Sequence, residues 1–100
     1  MSFRVEFTGP AAAQVDAAHT WWLANRPAAP ELLGDELADA LELLTAMPLK
    51  TQVWGDVDGT PVYKLRLPRT RYALYYTLLG DLVTVRALWH GARGTDPLIG

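Results

Sequence analysis

The sequence predicts an α+β fold in which a strand and an antiparallel helical hairpin precede a three- or four-stranded antiparallel meander. Apolar residues recur with the helical period before Pro48 and with the period of a strand after it. Two hairpin-type turns, Asp58-Gly59 and Gly80-Asp81, divide the second half. We therefore expect one domain over residues 1–100, with both helices on one face of the sheet and the other face open.

The opening strand and the first helix are separated by a glycine–proline pair. Residues 3–7 alternate apolar and charged side chains, as in a half-buried strand. Gly9-Pro10 ends this strand and places a proline at the start of a helix. The helix is predicted over residues 11–25, with an apolar stripe of Ala11, Val15, Ala18 and Trp22. It ends at Arg26-Pro27, because proline disfavours helical geometry in the residue before it.

A second helix is predicted to start at Pro30 and to end at Met47-Pro48. Its apolar stripe consists of leucines, namely Leu33, Leu37, Leu41 and Leu44. Glu31, Asp35 and Glu36 lie near its N-terminus, where the helix dipole favours negative charge. About four residues join the two helices, which predicts an antiparallel pair.

The rest of the chain is typical of a meander. Residues 51–57 predict a short strand before the Asp58-Gly59 turn, and residues 62–67 predict the next one. A loop of residues 68–71 leads to a strand over 72–79, and Gly80-Asp81 leads to the last strand, over 82–89. Residues 91–100 contain three glycines and a proline, and we expect them to form a flexible tail.

The turns predict which side chains share a face, because side chains alternate along a strand. With Leu79 opposite Leu82, Tyr75 is expected opposite Arg86. The core face is then predicted to carry Tyr63, Leu65, Leu67, Tyr72, Leu74, Tyr76, Leu78, Val83, Val85, Ala87 and Trp89. The open face is predicted to carry Lys64, Arg66, Ala73, Tyr75, Thr77, Thr84, Arg86 and Leu88.

Composition argues against several kinds of site. The chain has no cysteine and two histidines, so we expect no disulfide, no metal site and no cofactor. Residues 1–20 contain Arg4, Glu6 and Asp16 and lack the apolar core of a signal peptide. No apolar run reaches the roughly 20 residues that span a bilayer. We therefore expect a cytoplasmic protein without a membrane partner.

The net charge of −2 hides opposite charges in two parts of the chain. Residues 1–59 hold nine acidic residues and three basic ones. Residues 60–95 hold one acid and six bases, which are Lys64, Arg66, Arg69, Arg71, Arg86 and Arg93. A basic half indicates a face for an acidic partner, either protein or nucleic acid. A solvated basic edge explains the charge equally well.

Two uses fit the open face. It could hold an RNA backbone by charge while Tyr75 stacks on a base. It could instead receive a protein partner through apolar pockets and charge pairs. An ordinary polar sheet face, with its long cations lying over Tyr75, explains the same residues without a ligand.

Two stretches of the second half resemble the RelE/ParE toxins. One is Arg71-Tyr72-Ala73-Leu74-Tyr75-Tyr76, and the other is His90-Gly91-Ala92-Arg93 after the last strand. The opening strand and the helix that bears Trp21-Trp22 are similar as well. The resemblance implies a RelE/ParE-like fold and a bacterial toxin whose cognate antitoxin neutralises it by wrapping a C-terminal segment around it. ParE-like members poison DNA gyrase, whereas RelE-like members cleave messenger RNA in the ribosome.

RelE-like cleavage needs a base, an acid and cations near the phosphate. The resemblance matches Lys64 and Arg66 to two basic positions of that family, Arg71 or Tyr72 to a third, and Arg93 to the arginine after the last strand. The family's late tyrosine has no counterpart here. His90 either replaces it as acid or base or merely caps a strand end.

The incomplete set and a sequence pI of about 5.5 favour a ParE-like toxin without enzymatic activity, whose partners are gyrase and the antitoxin. One alternative is a ribosome-dependent endoribonuclease acting on messenger RNA through Arg66, Arg71, His90 and Arg93. Another is a non-toxic binding module on the same scaffold.

Partner contacts are predicted at Lys64, Arg66, Tyr75, Arg86 and Trp54. Trp21 and Trp54 are expected to be partly exposed, and one of them is expected to contact the antitoxin or a second copy of the chain. Trp22 and Trp89 are predicted to lie in the core, and His19 to pack beside Trp22.

Overall fold

The computed structural model describes residues 2–48 and 52–99, and it has the predicted order of elements. The elements are β1 Arg4–Phe7, α1 Gly9–Asn25, α2 Leu32–Ala46, β2 Val53–Val57, β3 Thr60–Leu67, β4 Tyr72–Leu79, β5 Leu82–His90 and a 3-10 turn over Gly91–Arg93. The strands form one sheet in the order β1-β5-β4-β3-β2. The α+β class is confirmed. Residue 51, where the strand before the Asp58-Gly59 turn was predicted to begin, lies outside the described residues.

The helix ends are set by local hydrogen bonds. Helix α1 begins two residues before its predicted start, because the Thr8 Oγ1 accepts the Ala11 N–H at 3.2 Å and caps the first turn. At its other end, the Arg26 N–H donates to the Trp22 carbonyl at 2.8 Å. Residues 26–31 join the helices, a longer connection than predicted. Neither helix in the described part of the chain is long and apolar enough to cross a membrane.

The sheet combines a parallel edge with an antiparallel meander. Strand β1 pairs in parallel with β5, from Arg4 beside Leu82 to Phe7 beside Val85. Strands β2 to β5 pair antiparallel in sequence order. The turn between β2 and β3 has φ values of 50° at Asp58 and 83° at Gly59, as a two-residue hairpin turn of the predicted kind requires.

Both helices pack on one face of the sheet. The core between them and the sheet is formed by Ala11, Ala18, Trp22, Leu33, Ala40, Leu44, Leu67, Tyr72, Leu74, Tyr76, Val83, Val85 and Leu88. The Trp22 indole N–H donates to the Ala29 carbonyl at 2.7 Å, so this buried ring has its polar atom satisfied. The opposite face, called the open face below, holds a second cluster of Val62, Ala73, Tyr75 and Ala87 with Trp54, Val57, Trp89 and Ile99 packed against it.

A β-bulge interrupts the pairing of β4 with β5. Tyr76 pairs with Val85, but the preceding Tyr75 pairs with Ala87. Arg86 is therefore an extra residue in β5, and the prediction that it lies opposite Tyr75 is wrong. An extra residue reverses the alternation of side chains beyond it.

The bulge corrects three of the predicted faces. Leu88 pairs with Leu74 and joins the helix-covered core, although it was predicted on the open face. Ala87 and Trp89 were predicted in that core, but both lie on the open face, where Trp89 pairs with Ala73. Alternation from the Gly80-Asp81 turn predicts the faces of β5 correctly only as far as the bulge.

The segment after β5 contacts the open face. The Trp89 indole N–H donates to the Thr95 carbonyl at 2.8 Å. Pro97 is buried, and Ile99 packs against the second cluster. The flexibility expected of residues 91–100 stays a prediction, and residue 100 lies outside the described residues.

A carboxylate on α2 holds the loop between β3 and β4. Glu36 accepts three hydrogen bonds, from the Arg69 N–H at 2.8 Å and from the N–H and Oγ1 of Thr70 at 2.9 and 2.7 Å. Thr70 is only 2% exposed, so its polar atoms depend on this partner. Burial alone would raise the pKa of Glu36, but the hydrogen bonds and the nearby Arg69 charge outweigh it and lower the pKa below 4.5.

Replacing Glu36 with Ala is expected to lower the free energy of unfolding by about 1–3 kcal/mol, because it leaves the buried Thr70 N–H without its acceptor. A depressed folded-state pKa stabilises the protein above the unfolded value, and this contribution is lost as pH falls through the folded value. Urea unfolding at pH 7 and near pH 3 measures both effects. Glu42→Ala, an exposed change on the same helix, is the control. Equal losses in the two variants, or a loss on Glu36→Ala that does not become smaller in acid, would contradict the role of Glu36.

The bulge gives a second prediction, based on deletions in β5. Removing Arg86 leaves a regular strand with Val85, Ala87, Leu88 and Trp89 still on their present faces, so the variant is expected to unfold cooperatively. Removing Thr84 instead turns either Val83 or Val85 from the helix-covered face to the open face. Each valine that leaves the core is expected to lower the free energy of unfolding by about 1.5–3 kcal/mol. Thermal unfolding followed by circular dichroism compares the two. A Thr84 deletion as stable as the Arg86 deletion would show that the register is not fixed in this way.

Candidate functional site

A row of three paired residues crosses the open face and forms a hollow. Arg66 on β3 pairs with Ala73 on β4, which pairs with Trp89 on β5. Because the middle side chain is a methyl group, the guanidinium and the indole stand on either side of a depression. Trp89 reaches this face only because of the bulge, so sequence alternation alone missed it.

The depression is part of a cavity of about 470 Å³, called the basic cleft below. Its walls are Lys64, Arg66, Leu67, Pro68, Arg71, Tyr72, Ala73, Tyr75, Trp89, Gly91 and Ala92. Three cations thus converge on one concavity, and each was singled out from the sequence. None of them forms a salt bridge with a carboxylate in the described ranges. Converging, unpaired cations above an apolar floor are typical of a site for anionic groups.

Arg71 is held in place by its backbone. Its φ is 67°, a left-handed conformation that closes the loop between β3 and β4. Its N–H donates to the Leu67 carbonyl, and its own carbonyl accepts the Gly91 N–H at 2.9 Å. A Cβ at position 91 would lie only 3.3 Å from that carbonyl oxygen, so glycine permits the close approach. The loop is therefore tied to the end of β5 on one side and to Glu36 on the other.

Tyr75 lies on the open face as predicted, but its ring is covered by the protein itself. It is 3% exposed. Trp54 packs edge-on against it with ring centroids 5.2 Å apart, and the Lys64 Nζ lies 5.6 Å from its centroid. A base therefore has no free face of Tyr75 to stack on, while Trp54 itself is half-buried. The roles of both aromatic residues in partner binding stay predictions.

Arg86 lies on the open face but outside the walls of the basic cleft. Its Nε donates to the Thr77 Oγ1 at 3.0 Å. This hydrogen bond fixes the bulged residue to the neighbouring strand and directs its side chain away from Lys64 and Arg66. A partner that contacts Arg86, as predicted, must therefore cover an area larger than the cleft.

The residues assigned to the nuclease alternative fall in two places. Arg66 and Arg71 line the basic cleft, whereas His90 and Arg93 line a second cavity of about 580 Å³, called the apolar pocket below. That pocket is bounded by Ala17, Ala18, Trp21, Arg26, Tyr72, His90, Ala92 and Arg93. The Arg93 guanidinium lies 4.3 Å from the Trp89 ring centroid, on the border between the two cavities.

His90 is the last residue of β5 and caps the 3-10 turn that follows, while its role as acid or base stays a prediction. Its Nδ1 accepts the Ala92 N–H at 3.1 Å. The Ala92 N–H therefore occupies this nitrogen as a hydrogen-bond acceptor. The Tyr72 ring meets the His90 ring edge-on at 4.8 Å. Burial raises the pKa of Tyr72, an effect that the Arg93 charge partly opposes, so its phenol stays protonated at neutral pH.

Three features of this region were not predicted from the sequence. They are the position of Trp89 in the cleft, the hydrogen bonds between Glu36 and the β3–β4 loop, and the apolar pocket. The consecutive apolar run Ala87-Leu88-Trp89 breaks strict alternation and was an available sign of the bulge. The other two join residues far apart in the chain and have no local pattern. His19 is exposed rather than packed beside Trp22, so that prediction is wrong.

Comparisons with known proteins agree with the observed fold. The family described as "ParE toxin of type II toxin-antitoxin system, parDE" matches residues 5–94. Among solved structures, a chain of the "Chromosomal ParDE TA system from P. aeruginosa" superposes with a TM-score of 0.68 at 17% sequence identity, covering 88% of this chain and 95% of that chain. No curated protein matches the sequence. The structural likeness shows the shared fold, and the family match confirms the predicted resemblance: the chain belongs to the ParE toxin family of type II toxin–antitoxin systems.

Proposed function

We propose that this toxin arrests bacterial growth by binding DNA gyrase in the cytoplasm and that a cognate antitoxin neutralises it. Membership of the ParE family supports the class of target. The observation that carries the proposal is the basic cleft, in which Lys64, Arg66 and Arg71 converge without salt bridges to carboxylates in residues 2–48 and 52–99. Such a surface favours an acidic protein segment as its partner.

A binding role, rather than an enzymatic one, is supported by the arrangement of the candidate catalytic groups. His90 and Arg93 line a different cavity from Arg66 and Arg71. The Nδ1 of His90 is used as a cap and so is not free to act as a base, and burial raises the pKa of Tyr72, which disfavours its phenolate as a base. General acid–base catalysis requires both groups within hydrogen-bond reach of one reacting site.

The charge of the chain also supports a protein partner. A protein that binds ribosomal RNA is expected to be strongly basic, whereas this chain has a net charge of −2. The cations are concentrated on the open face, and they suit contact with a short acidic segment of a protein. Trp54 and Arg86, beside the cleft on the same face, extend the proposed footprint to both sides of it.

Expression of the chain alone is expected to arrest growth, with loss of gyrase supercoiling and with intact transcripts. Co-expression of the antitoxin encoded beside it is expected to restore growth. Plasmid supercoiling with purified gyrase and mapping of transcript ends measure the two activities separately. A frameshifted gene is the control for the burden of expression.

Two outcomes would contradict this proposal. Cut transcripts with normal supercoiling would identify a ribosome-dependent endoribonuclease, and toxicity would then depend on Arg66, Arg71, His90 or Arg93. Unimpaired growth with soluble, folded protein would show that the chain is a non-toxic binding module on the same scaffold.

The charge of the cleft can be tested on the antitoxin. Arg66→Glu is expected to weaken antitoxin binding roughly tenfold or more, because it places a like charge opposite an acidic segment. Arg4→Glu makes the same change of charge in β1, at a residue whose guanidinium pairs with Asp81 at 3.9 Å, and it is expected to have little effect. Calorimetric titrations at low and high salt measure both variants, and the difference should shrink as salt screens the charges. Equal affinities would exclude the cleft from the interface.

A further inference from the structure

The loop between β3 and β4 supplies one wall of the basic cleft. Lys64 and Arg66 lie within β3, where pairing with β4 fixes their backbones, whereas Arg71 lies in the loop. We propose that Glu36 of α2 is a positioning residue for this cleft, because its carboxylate holds the loop in the conformation that keeps the Arg71 side chain in the cleft wall. Naming gyrase as the ligand of the cleft rests on the proposed function.

The conformation of Arg71 needs support from its surroundings. Its φ of 67° lies in the left-handed region, which the Cβ of any residue other than glycine disfavours. Two backbone hydrogen bonds support it, one from its N–H to the Leu67 carbonyl at 2.8 Å and one from the Gly91 N–H to its carbonyl at 2.9 Å. Neither bond involves Arg69 or Thr70, so the middle of the loop depends on other contacts.

Glu36 supplies those contacts. Its two carboxylate oxygens accept the N–H groups of Arg69 and Thr70 at 2.8 and 2.9 Å and the Thr70 hydroxyl at 2.7 Å. Thr70 directly precedes Arg71 and is buried, so its backbone cannot move without leaving polar atoms unsatisfied away from water. Loss of the carboxylate therefore releases the backbone before Arg71 and lets its φ relax toward the common negative values.

Glu36 acts through the loop rather than on a ligand. It belongs to a helix on the opposite face of the sheet and is not among the walls of the cleft. Two effects of opposite sign are therefore separable. A carboxylate that acts only as a charge near the cleft weakens the binding of an acidic partner, so its removal tightens binding. A positioning residue strengthens binding, so its removal weakens it. The direction of the change identifies the role.

Hydrogen exchange in the folded chain tests the hold on the loop without any ligand. In Glu36→Ala, the Gly91 amide is expected to exchange roughly tenfold faster relative to the Thr8 amide, because the Arg71 carbonyl that accepts it is released. The Thr8 amide donates to a β5 carbonyl remote from the loop. Glu42→Ala, an exposed change on the same helix, is expected to leave the ratio unchanged. Equal acceleration of both amides by Glu36→Ala, as from a global loss of stability alone, or no acceleration at Gly91, would overturn the proposal.

Binding of the full chain to the gyrase holoenzyme tests the consequence for the cleft. Glu36→Ala and Arg71→Ala are each expected to weaken the affinity roughly tenfold, and the double variant is expected to bind no more weakly than Arg71→Ala alone. In an Arg66→Ala background, the loss on removing Glu36 is expected to remain in full, since β3 rather than the loop holds Arg66. Glu42→Ala is expected to bind as the unaltered chain does. Biolayer interferometry measures these affinities.

Glu36→Gln is a second variant in case Glu36→Ala does not fold. Its amide oxygen still accepts from one of the two loop N–H groups, while its NH₂ group faces the other, so an intermediate loss of affinity is expected. Affinities that rise or stay the same in the folded Glu36 variants would show that the carboxylate acts at most as a charge. Losses that multiply in the double variant with Arg71→Ala would show that the two residues act independently. Either result would overturn the proposal.

The failures of the two proposals are distinguishable. If the unaltered chain does not bind gyrase, the proposed function is wrong, while the exchange of the Gly91 amide still decides whether Glu36 holds the loop. If the unaltered chain binds gyrase and the Glu36 variants bind equally well, gyrase stays the target and the positioning role alone is excluded.

Discussion

The surface of this protein depends on one extra residue in β5. Beyond Arg86 the alternation of side chains is reversed, so Leu88 turns into the core and Trp89 turns out toward the cleft. A register without the extra residue would bury an indole against α1 and would remove one wall of the cleft. The bulge therefore decides which chemistry the sheet presents at the end where the β3–β4 loop and the 3-10 turn meet, and a bulge beside a functional surface is a recurrent device for directing a side chain.

The two faces of the sheet differ in how they are covered. One is sealed by two helices, and the other is partly covered by the protein's own Trp54, Trp89 and C-terminal segment. As a result, the aromatic ring of Tyr75 is hidden, while the cations on its margin stay accessible. This division suits recognition by charge at the rim and by shape at the floor, as in many protein interfaces with a dry centre and a polar border.

Local chemistry allowed much of this structure to be predicted, and long-range pairing limited the rest. The turn at Asp58-Gly59 and the helix stop at Met47-Pro48 are encoded by adjacent residues, so their positions follow from the sequence. The convergence of Lys64 and Arg66 also follows, because they share a face of one strand. The bulge depends instead on how β5 meets both β1 and β4, and the hold of Glu36 on Thr70 joins residues on different elements. Contacts between distant residues leave no periodic pattern in the sequence. The exposure of Tyr75 was misjudged for the same reason, since Trp54 reaches it from another strand.

The path of the last residues has a practical consequence for handling this protein. The hydrogen bond from Trp89 to Thr95 and the packing of Ile99 bring the chain back across the cleft side of the sheet. Strand β1, in contrast, occupies the edge opposite β2. A purification tag or fluorescent fusion added after residue 99 would therefore emerge beside the proposed binding face and compete with its partners. The same tag placed before β1 leaves that face clear, so immobilisation through the N-terminus is the orientation in which affinities should be compared.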